Sequence, residues 1–289
     1  MPFDLVLNVA IGGVLTGLVY GLMALGLSVI FGVVRIVNFA HGEMMTVAMY
    51  AAVMAFAHWQ LDPFAALLPV AAGLFLFGYW LQTSLINPFI TRPEHSQFML
   101  LVAIAIVMVN GLLMAFGPNA RTVLVPYALD SVELGPLLVD KVRLYAAGTA
   151  LAIAAGLFAF FRYARLGTAI RAAADNHTGA LVVGLNVKRL YALTFGLGSA
   201  CVGAAGCLMA VLIDVTPTLG PVYTLLAFVI VIVGGLGSMM GALVGGVLIG
   251  LSEALAGLVL VPSAKSMVTF ALLILVLLLR PQGLFGRRA

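Results

Sequence analysis

Charged side chains are scarce in this chain, because only 8% of its 289 residues are Asp, Glu, Lys or Arg. A soluble globular domain has about 25% charged residues, so the composition excludes one. Intrinsic disorder is excluded too, because 64% of the residues are hydrophobic and the mean hydropathy is +1.21. The strands of an outer-membrane barrel alternate polar and apolar residues, which this sequence does not do. The sequence therefore predicts an all-α, polytopic helical membrane protein.

Groups that support catalysis or bind metals are equally sparse. The two cysteines, Cys201 and Cys207, lie six residues apart in one apolar segment, which places them on different faces of a helix. There is no Walker A sequence, and no nucleophile stands at a workable spacing from a base. We therefore predict no catalytic residue, no metal and no cofactor bound by this chain. Its basic residues are scattered in short loops, which argues against a nucleic-acid partner.

Long apolar runs divide the chain into membrane spans. A helix needs about 20 apolar residues to cross a bilayer, and this criterion predicts nine spans, with eight to ten as the range. Some runs are short or interrupted by glycine, which indicates broken or re-entrant segments. We predict one transmembrane domain over residues 1–289. The runs are 5–34, 44–58, 64–90, 97–117, 144–161, 190–213, 222–236, 241–261 and 266–279.

Loop charges predict the orientation, since basic loops stay in the cytoplasm. Segment 162–189 carries five basic residues and one acid, Asp175, and the C-terminal tail carries three arginines. Segment 118–143 carries as many acids as bases. We therefore place 162–189 and the C-terminus in the cytoplasm and 118–143 outside. This orientation fits a multi-pass protein of a bacterial inner membrane.

One polar cluster stands between the first two apolar runs. Asn38, His41 and Glu43 lie within six residues of each other. An ionisable residue inside a span is costly and is usually functional. At the cytoplasmic interface, beside Arg35, the same residues stay near water and cost little free energy. The sequence does not decide between a position inside the bundle and one at the interface.

A second group of candidates combines glycines with one buried acid. Gly234, Gly235, Gly237 and Ser238 interrupt an apolar segment, which indicates a re-entrant helix or very close helix packing. Glu253 stands alone in the next span, on a face of small residues, so it faces the bundle and not lipid. We expect these residues to line a pathway, with simple packing as the alternative for each glycine.

The loop 162–189 has the pattern of an amphipathic helix. Thr168 is a candidate N-cap, and Gly184 is a candidate C-cap. Between these two caps, Ile170, Ala173 and Leu181 fall on one helical face. The apolar face is rich in alanine, which favours docking in a protein groove over binding to lipid.

Together these segments resemble the branched-chain amino acid permease family, which forms the membrane subunits of importers driven by ABC ATPases. The resemblance covers about residues 12–286, and its motifs agree in order and spacing. They are VNFAHGEMM, YARLGTAIRAAADNHTGALVVGLNVKRLYALTF, VGGLGSMMGALVGGVLIGLSEAL and RPQGLFG.

The resemblance implies a permease domain that forms the path of a small solute, a branched-chain or hydrophobic amino acid or a related compound. The implied partners are a second related permease, two cytosolic ATPases that bind ATP and Mg, a periplasmic substrate-binding protein and membrane lipid. It adds Thr216, Pro217 and Gly220 to the pathway. The chain departs from many members at Thr216, where they have Asn, and at Leu226, where they have Lys. The positions that match an ATPase-coupling helix are Gly167, Arg171, Ala172, Asp175, Ala180 and Gly184.

Two other functions are alternatives to this one. A stand-alone proton-coupled carrier would use His41, Glu43 or Glu253 as a relay, but ionisable groups in the spans are few. An intramembrane enzyme built on His41 and Glu43 lacks a nucleophile and a complete metal-ligand set.

Overall fold

The computed structural model describes residues 3–90, 92–134, 137–260 and 265–286, and most of them are helical. Seven of the described helical segments are long and apolar enough to cross a membrane. The helices are α1 (Phe3–Val34), α2 (His41–Trp59), α3 (Pro63–Leu81), α4 (Glu94–Phe116), α5 (Lys141–Tyr163), α6 (Arg165–Asp175), α7 (His177–Val182), α8 (Val187–Ala210), α9 (Gly220–Gly234), α10 (Met239–Val259) and α11 (Lys265–Leu279). Short helical segments, Gln82–Ile86, Asn87–Phe89 and Pro217–Leu219, extend α3 and precede α9.

The predicted polytopic helical fold is confirmed. The nine predicted apolar runs correspond to α1–α5 and α8–α11. Helix α2 has 19 residues and helix α11 has 15, and neither is among the seven spanning candidates. Polar side chains set several helix starts, as expected for N-caps. Asp62, Asp140 and Asn186 accept backbone N–H bonds at the starts of α3, α5 and α8.

Glycines bring α1 and α10 into backbone contact over the segment of α1 from Gly13 to Gly21. A methyl group on Gly17 would lie 2.7 Å from the Gly246 carbonyl oxygen, and one on Gly13 would lie 2.8 Å from that of Gly250. Helices α8 and α3 also pack closely, with Ser199 against Gly78. Close approach of this kind increases the van der Waals contact that holds helices together in lipid. The small-residue faces seen in the sequence are therefore packing faces.

Segment 118–143 contains a feature that the sequence did not predict. Strands β1 (Ser131–Leu134) and β2 (Leu137–Asp140) pair in antiparallel fashion, with Ser131 opposite Asp140. The hairpin contacts the start of α1 through the Asn8 side chain, which accepts the Leu138 N–H. We call this end of the bundle the hairpin end. The opposite end carries loop 162–189 and the C-terminal tail, and we call it the basic end.

Two helices begin in the middle of the bundle. After α1 ends, residues 35–40 run back toward the hairpin end, and α2 starts where the His41 ring meets the Met23 carbonyl oxygen. Met23 lies eleven residues before the end of α1, which is about 16 Å along the axis. Segment 211–219 enters from the hairpin end in the same way, and α9 starts at Gly220, beside Gly42. These are the re-entrant segments of the fold.

Candidate functional site

A hydrogen-bonded node joins the starts of α2 and α9. The Thr224 hydroxyl accepts a hydrogen bond from the Gly42 N–H at 2.8 Å and donates one to the Glu43 carboxylate at 3.0 Å. Glu43 is 3% exposed, and neither ion pair of the described chain, Lys141–Asp130 or Arg143–Asp140, involves it. The node therefore holds an acid inside the bundle without a basic partner.

Small residues make this node possible. A methyl group on Gly42 would collide with the Gly220 carbonyl oxygen, and one on Gly220 would lie 2.9 Å from the Glu43 side chain. Gly220 is therefore placed beside the polar cluster by packing, although 177 residues separate it from Glu43. Only a residue without a side chain fits at each of the two positions.

The other polar residues of the cluster are also buried. The Asn38 side chain accepts the Ala40 N–H, which forms a tight turn before α2. The His41 Nε2–H donates to the Met23 carbonyl oxygen at 2.9 Å, and Nδ1 has no partner within the described residues. The position at the membrane interface is therefore wrong for this cluster, and the position inside the bundle is right.

A cavity of about 1290 Å³ opens at the basic end. Ser28 and Gly32 of α1 line one side, and α4 and α6 contribute charged side chains at the rim. Ser28 is fully buried, and its hydroxyl has no partner in the described part of the chain. The charged residues of the rim are Arg35, Glu94, Arg171 and Asp175.

Three aromatic rings separate this cavity from the node. Phe39 and Phe98 line the cavity, and their ring centroids lie 4.6 Å apart. Phe228 lies one turn beyond Thr224 on α9, and its centroid is 5.1 Å from that of Phe39. The Phe39 carbonyl oxygen is also 3.4 Å from the Thr224 hydroxyl. The aromatic cluster therefore contacts the node on one side and the cavity on the other.

The predicted glycine segment forms a tight turn at the basic end. Gly235 and Gly237 have positive φ angles of 105° and 76°, and Ser238 caps α10 by accepting the Gly241 N–H. Gly237 and Ser238 line the cavity. Of the two predicted alternatives for this segment, close helix packing is therefore observed, because Gly234 packs directly against Gly241.

The C-terminal tail binds this turn. The Leu284 and Phe285 N–H groups donate to the Val233 and Gly234 carbonyl oxygens, both at 2.9 Å. These carbonyls end α9 and would otherwise lack partners, as the last carbonyls of a helix do. Phe285 also lines the cavity. The RPQGLFG motif therefore closes the end of α9.

Loop 162–189 folds as two helices, and the single helix predicted from Thr168 to Gly184 is wrong. Asn176 is extended and caps α7 by accepting the Gly179 N–H, and such a capping residue ends the preceding helix. Thr168 lies inside α6, which starts at Arg165. Gly184, with a φ of 81°, follows the end of α7 as expected of a C-cap glycine.

The apolar face predicted for this loop divides between its two helices, because the α6 part packs on the bundle and the α7 part is exposed. Ile170 and Ala173 are buried, whereas Leu181 and Val182 of α7 are 53% and 82% exposed. The six predicted coupling positions divide in the same way. Gly167 and Ala180 are buried, and Arg171, Ala172, Asp175 and Gly184 are exposed.

The remaining pathway candidates lie outside the cavity lining. The Glu253 carboxylate accepts a hydrogen bond from the Thr269 hydroxyl of α11 at 3.0 Å. Pro217 is buried where the chain turns into α9, and the Thr216 hydroxyl lies 3.4 Å from that of Thr218. The structure thus brings Glu43 and Gly220 together, and Gly237 and Ser238 to the cavity. It leaves Glu253 and Thr216 apart from both, and the role of every one of these residues in a path stays a prediction.

Sequence reasoning missed Thr224 and the aromatic cluster. Thr224 is a single threonine between Tyr223 and Leu225 in an apolar run, so nothing local distinguishes it. Phe39 lies inside the polar motif, but phenylalanine is common in any span. The side chains become recognisable only through contacts between helices that are far apart in the chain.

Comparisons with known proteins agree with this architecture. The family described as branched-chain amino acid transport system / permease component matches residues 9–277. The high-affinity branched-chain amino acid transport system permease protein LivH of Salmonella typhimurium is 32% identical, over 95% of this chain and 94% of its own length. BraD of Pseudomonas aeruginosa, a permease of the same description, is 29% identical over 96% of this chain and 94% of its own. No solved structure matched the chain.

Proposed function

This chain belongs to the branched-chain amino acid permease family, and from that premise we propose which solute it carries and how it is driven. It is a permease subunit and a multi-pass protein of the inner membrane. The proposed solute is leucine, isoleucine, valine or a related hydrophobic amino acid, as the names of its relatives suggest. The proposed partners are a second related permease, two cytosolic ATPases that bind ATP and Mg, and a periplasmic binding protein.

The position of the α6–α7 pair carries the proposal that an ATPase drives transport. The pair is fixed to the bundle by its buried residues, and it presents Leu181, Val182 and Val183 outward at the basic end. Arg171 and Asp175 of α6 also reach the rim of the cavity. A protein that binds the exposed face of this pair therefore acts directly on the rim.

We propose that solute passes from the node at Glu43 and Thr224, past the aromatic cluster, into the cavity. The cavity is open at the basic end, which loop charges place in the cytoplasm. The structure would then correspond to an inward-facing arrangement closed at Phe39, Phe98 and Phe228. Partner binding shifts the population between this arrangement and one that is open at the hairpin end, through different contacts with α6–α7 in each.

Substitution of Leu181 by Glu tests the docking proposal. A charge on this exposed apolar position cannot be buried in an interface without a large desolvation cost. We expect the ATPases to be lost when the complex is purified in mild detergent, and ATP-dependent uptake of radiolabelled leucine to fall at least tenfold. Membrane levels of the variant should stay normal, because Leu181 is exposed.

Met240→Glu provides the matched control. Met240 is 55% exposed at the same end but lies outside loop 162–189. Co-purification of the ATPases with Leu181→Glu at the level of the control would contradict the docking proposal. Intact co-purification without leucine uptake in the unmodified complex would contradict the substrate proposal alone.

A further inference from the structure

A second cavity, remote from the node, is built from aromatic rings and one carboxylate. It is a groove of about 640 Å³ at the hairpin end, between the starts of α3 and α5. Three rings line it, and their centroids lie 6.4 Å (Phe64 to Tyr127), 6.5 Å (Phe64 to Tyr145) and 6.1 Å (Tyr127 to Tyr145) apart. The rings come from two helices and a loop, so the fold assembles the triad from three separate segments.

The Asp62 carboxylate lines the same groove. It accepts the Phe64 N–H at 2.8 Å and the Tyr127 hydroxyl at 2.5 Å. The described residues place no basic side chain within ion-pair distance of it, because their ion pairs involve Asp130 and Asp140 instead. Burial, followed by the hydrogen bond to Asp62, raises the pKa of Tyr127, so this phenol stays neutral. The groove therefore combines a carboxylate that lacks a counter-ion with three aromatic faces.

This combination is complementary to an alkylammonium group. A cation within about 6 Å of aromatic centroids is attracted by their negative faces, and a nearby carboxylate adds to the attraction. Lys141, paired with Asp130 at 2.8 Å, lies one helical turn before Tyr145 on α5. Asp130 compensates the charge of Lys141, so Asp62 is the one charged side chain among the described residues that line the groove.

The groove also continues along the outer surface of the spans. Asp62 and Tyr127 lie at the hairpin end, where the spanning segments Pro63–Phe89 and Lys141–Tyr163 begin. Leu144 and Gly148 line its wall on α5, and no atom of the described residues lies within 4 Å of the position that a side chain on Gly148 would take. In a ligand with an ammonium head and apolar chains, the head would meet the aromatic rings and Asp62, and the chains would meet the apolar surface of the spans.

We infer that this groove binds the head group of an aminophospholipid, phosphatidylethanolamine, from the outer leaflet. The ammonium lies on the Phe64, Tyr127 and Tyr145 rings near Asp62. The acyl chains follow the exposed faces of α3 and α5. The inference is independent of the transported solute, since none of the described residues lines both the groove and the large cavity.

Native mass spectrometry of the purified transporter complex tests this inference, with equal amounts of phosphatidylethanolamine and phosphatidylglycerol added. We expect the complex to retain phosphatidylethanolamine in preference. Tyr145→Leu and Asp62→Asn should each lower its retention about threefold or more, because each removes one component of cation recognition. Asn replaces Asp well as an N-cap, so α3 keeps its start.

Trp59→Leu is the matched control, because Trp59 is an aromatic residue of the same end, 78% exposed, that does not line the groove. Its retention of phosphatidylethanolamine should equal that of the unmodified complex. Three results would each overturn the inference: equal retention of both lipids, no effect of either groove variant, or lipid bound to the isolated chain but absent from the complex. Displacement of the lipid by soluble phosphoethanolamine at equal concentration would overturn the assignment to a lipid.

Discussion

At the scale of single residues, the Thr224 hydroxyl links two helices that are distant in sequence. It accepts from Gly42 and donates to Glu43, so one oxygen satisfies two buried groups. Burying a polar group without a partner costs more than a hydrogen bond contributes when it is formed. The node is therefore sensitive to loss of this one atom.

Thr224→Val should destabilise the protein by about 1–3 kcal/mol, because it leaves the Gly42 N–H and the Glu43 carboxylate unpaired while it keeps the side-chain volume. Thr224→Ser should retain most of the stability. Thermal unfolding in detergent, together with leucine uptake, measures both effects. Thr46→Val is the control, since the Thr46 hydroxyl bonds only to Gly42 O within its own helix. Equal unfolding temperatures for Thr224→Val and the control would show that the node contributes nothing.

At the scale of elements, the C-terminal tail completes the turn between α9 and α10. Its amides satisfy two carbonyls of α9, and Gly283 packs against Gly235, where a side chain on either residue would not fit. The tail is therefore part of the bundle at the basic end. Its removal would expose the end of α9 and one wall of the cavity.

Gly235→Ala should release the tail, because φ is 105° at this position and a methyl group there would lie 2.5 Å from the Gly286 nitrogen. Hydrogen exchange followed by mass spectrometry should show protection of the Leu284 and Phe285 amides in the unmodified protein. In the variant these amides should exchange much faster. Gly111→Ala, at a site with no protein atom within 4 Å, should leave the protection intact. Fast exchange in the unmodified protein would contradict the observed hydrogen bonds.

The elements also show what a sequence can and cannot predict. Composition and run length predicted the long helices, because apolar length decides whether a segment can span a bilayer. The break at Asn176 was missed, since its helical pattern continues through the break and only the cap geometry interrupts it. The sequence also leaves open the depth of Asn38, His41 and Glu43, because depth depends on how residues 35–40 pack against α1. The family resemblance makes Gly220 a predicted pathway residue. Its contact with Gly42 depends on the tertiary structure, so the sequence does not predict it.

At the scale of the whole molecule, polar loops at the two ends specify how the bundle is inserted. The hairpin end carries Asp130, Glu133 and Asp140 together with three basic residues, whereas the basic end carries four arginines and one lysine in loop 162–189. Both native cysteines are buried inside the bundle, Cys201 at 4% and Cys207 at 0% exposure. The native cysteines of the folded protein should therefore not react in a thiol-labelling experiment.

A membrane-impermeant maleimide should label Lys188→Cys only from the cytoplasmic side and Glu133→Cys only from the periplasmic side. The unmodified protein should stay unlabelled until it is denatured, because a buried thiol is not accessible to the reagent. Intact spheroplasts and inside-out vesicles provide the two orientations. Labelling of both positions from one side would contradict the proposed orientation.

The meeting of two helix starts inside the bundle has an electrostatic consequence. Each helix N-terminus carries roughly half a positive charge, from aligned peptide dipoles, so α2 and α9 together supply about one unit of positive charge. Glu43 lies in the first turn of α2 and contacts Gly220 and Thr224 of α9, which places its carboxylate beside both. Peptide dipoles thereby provide the counter-charge that no lysine or arginine in the described part of the chain provides. This counter-charge holds only while the two helix starts stay together, so a movement that separates α9 from α2 changes the electric potential in the middle of the membrane.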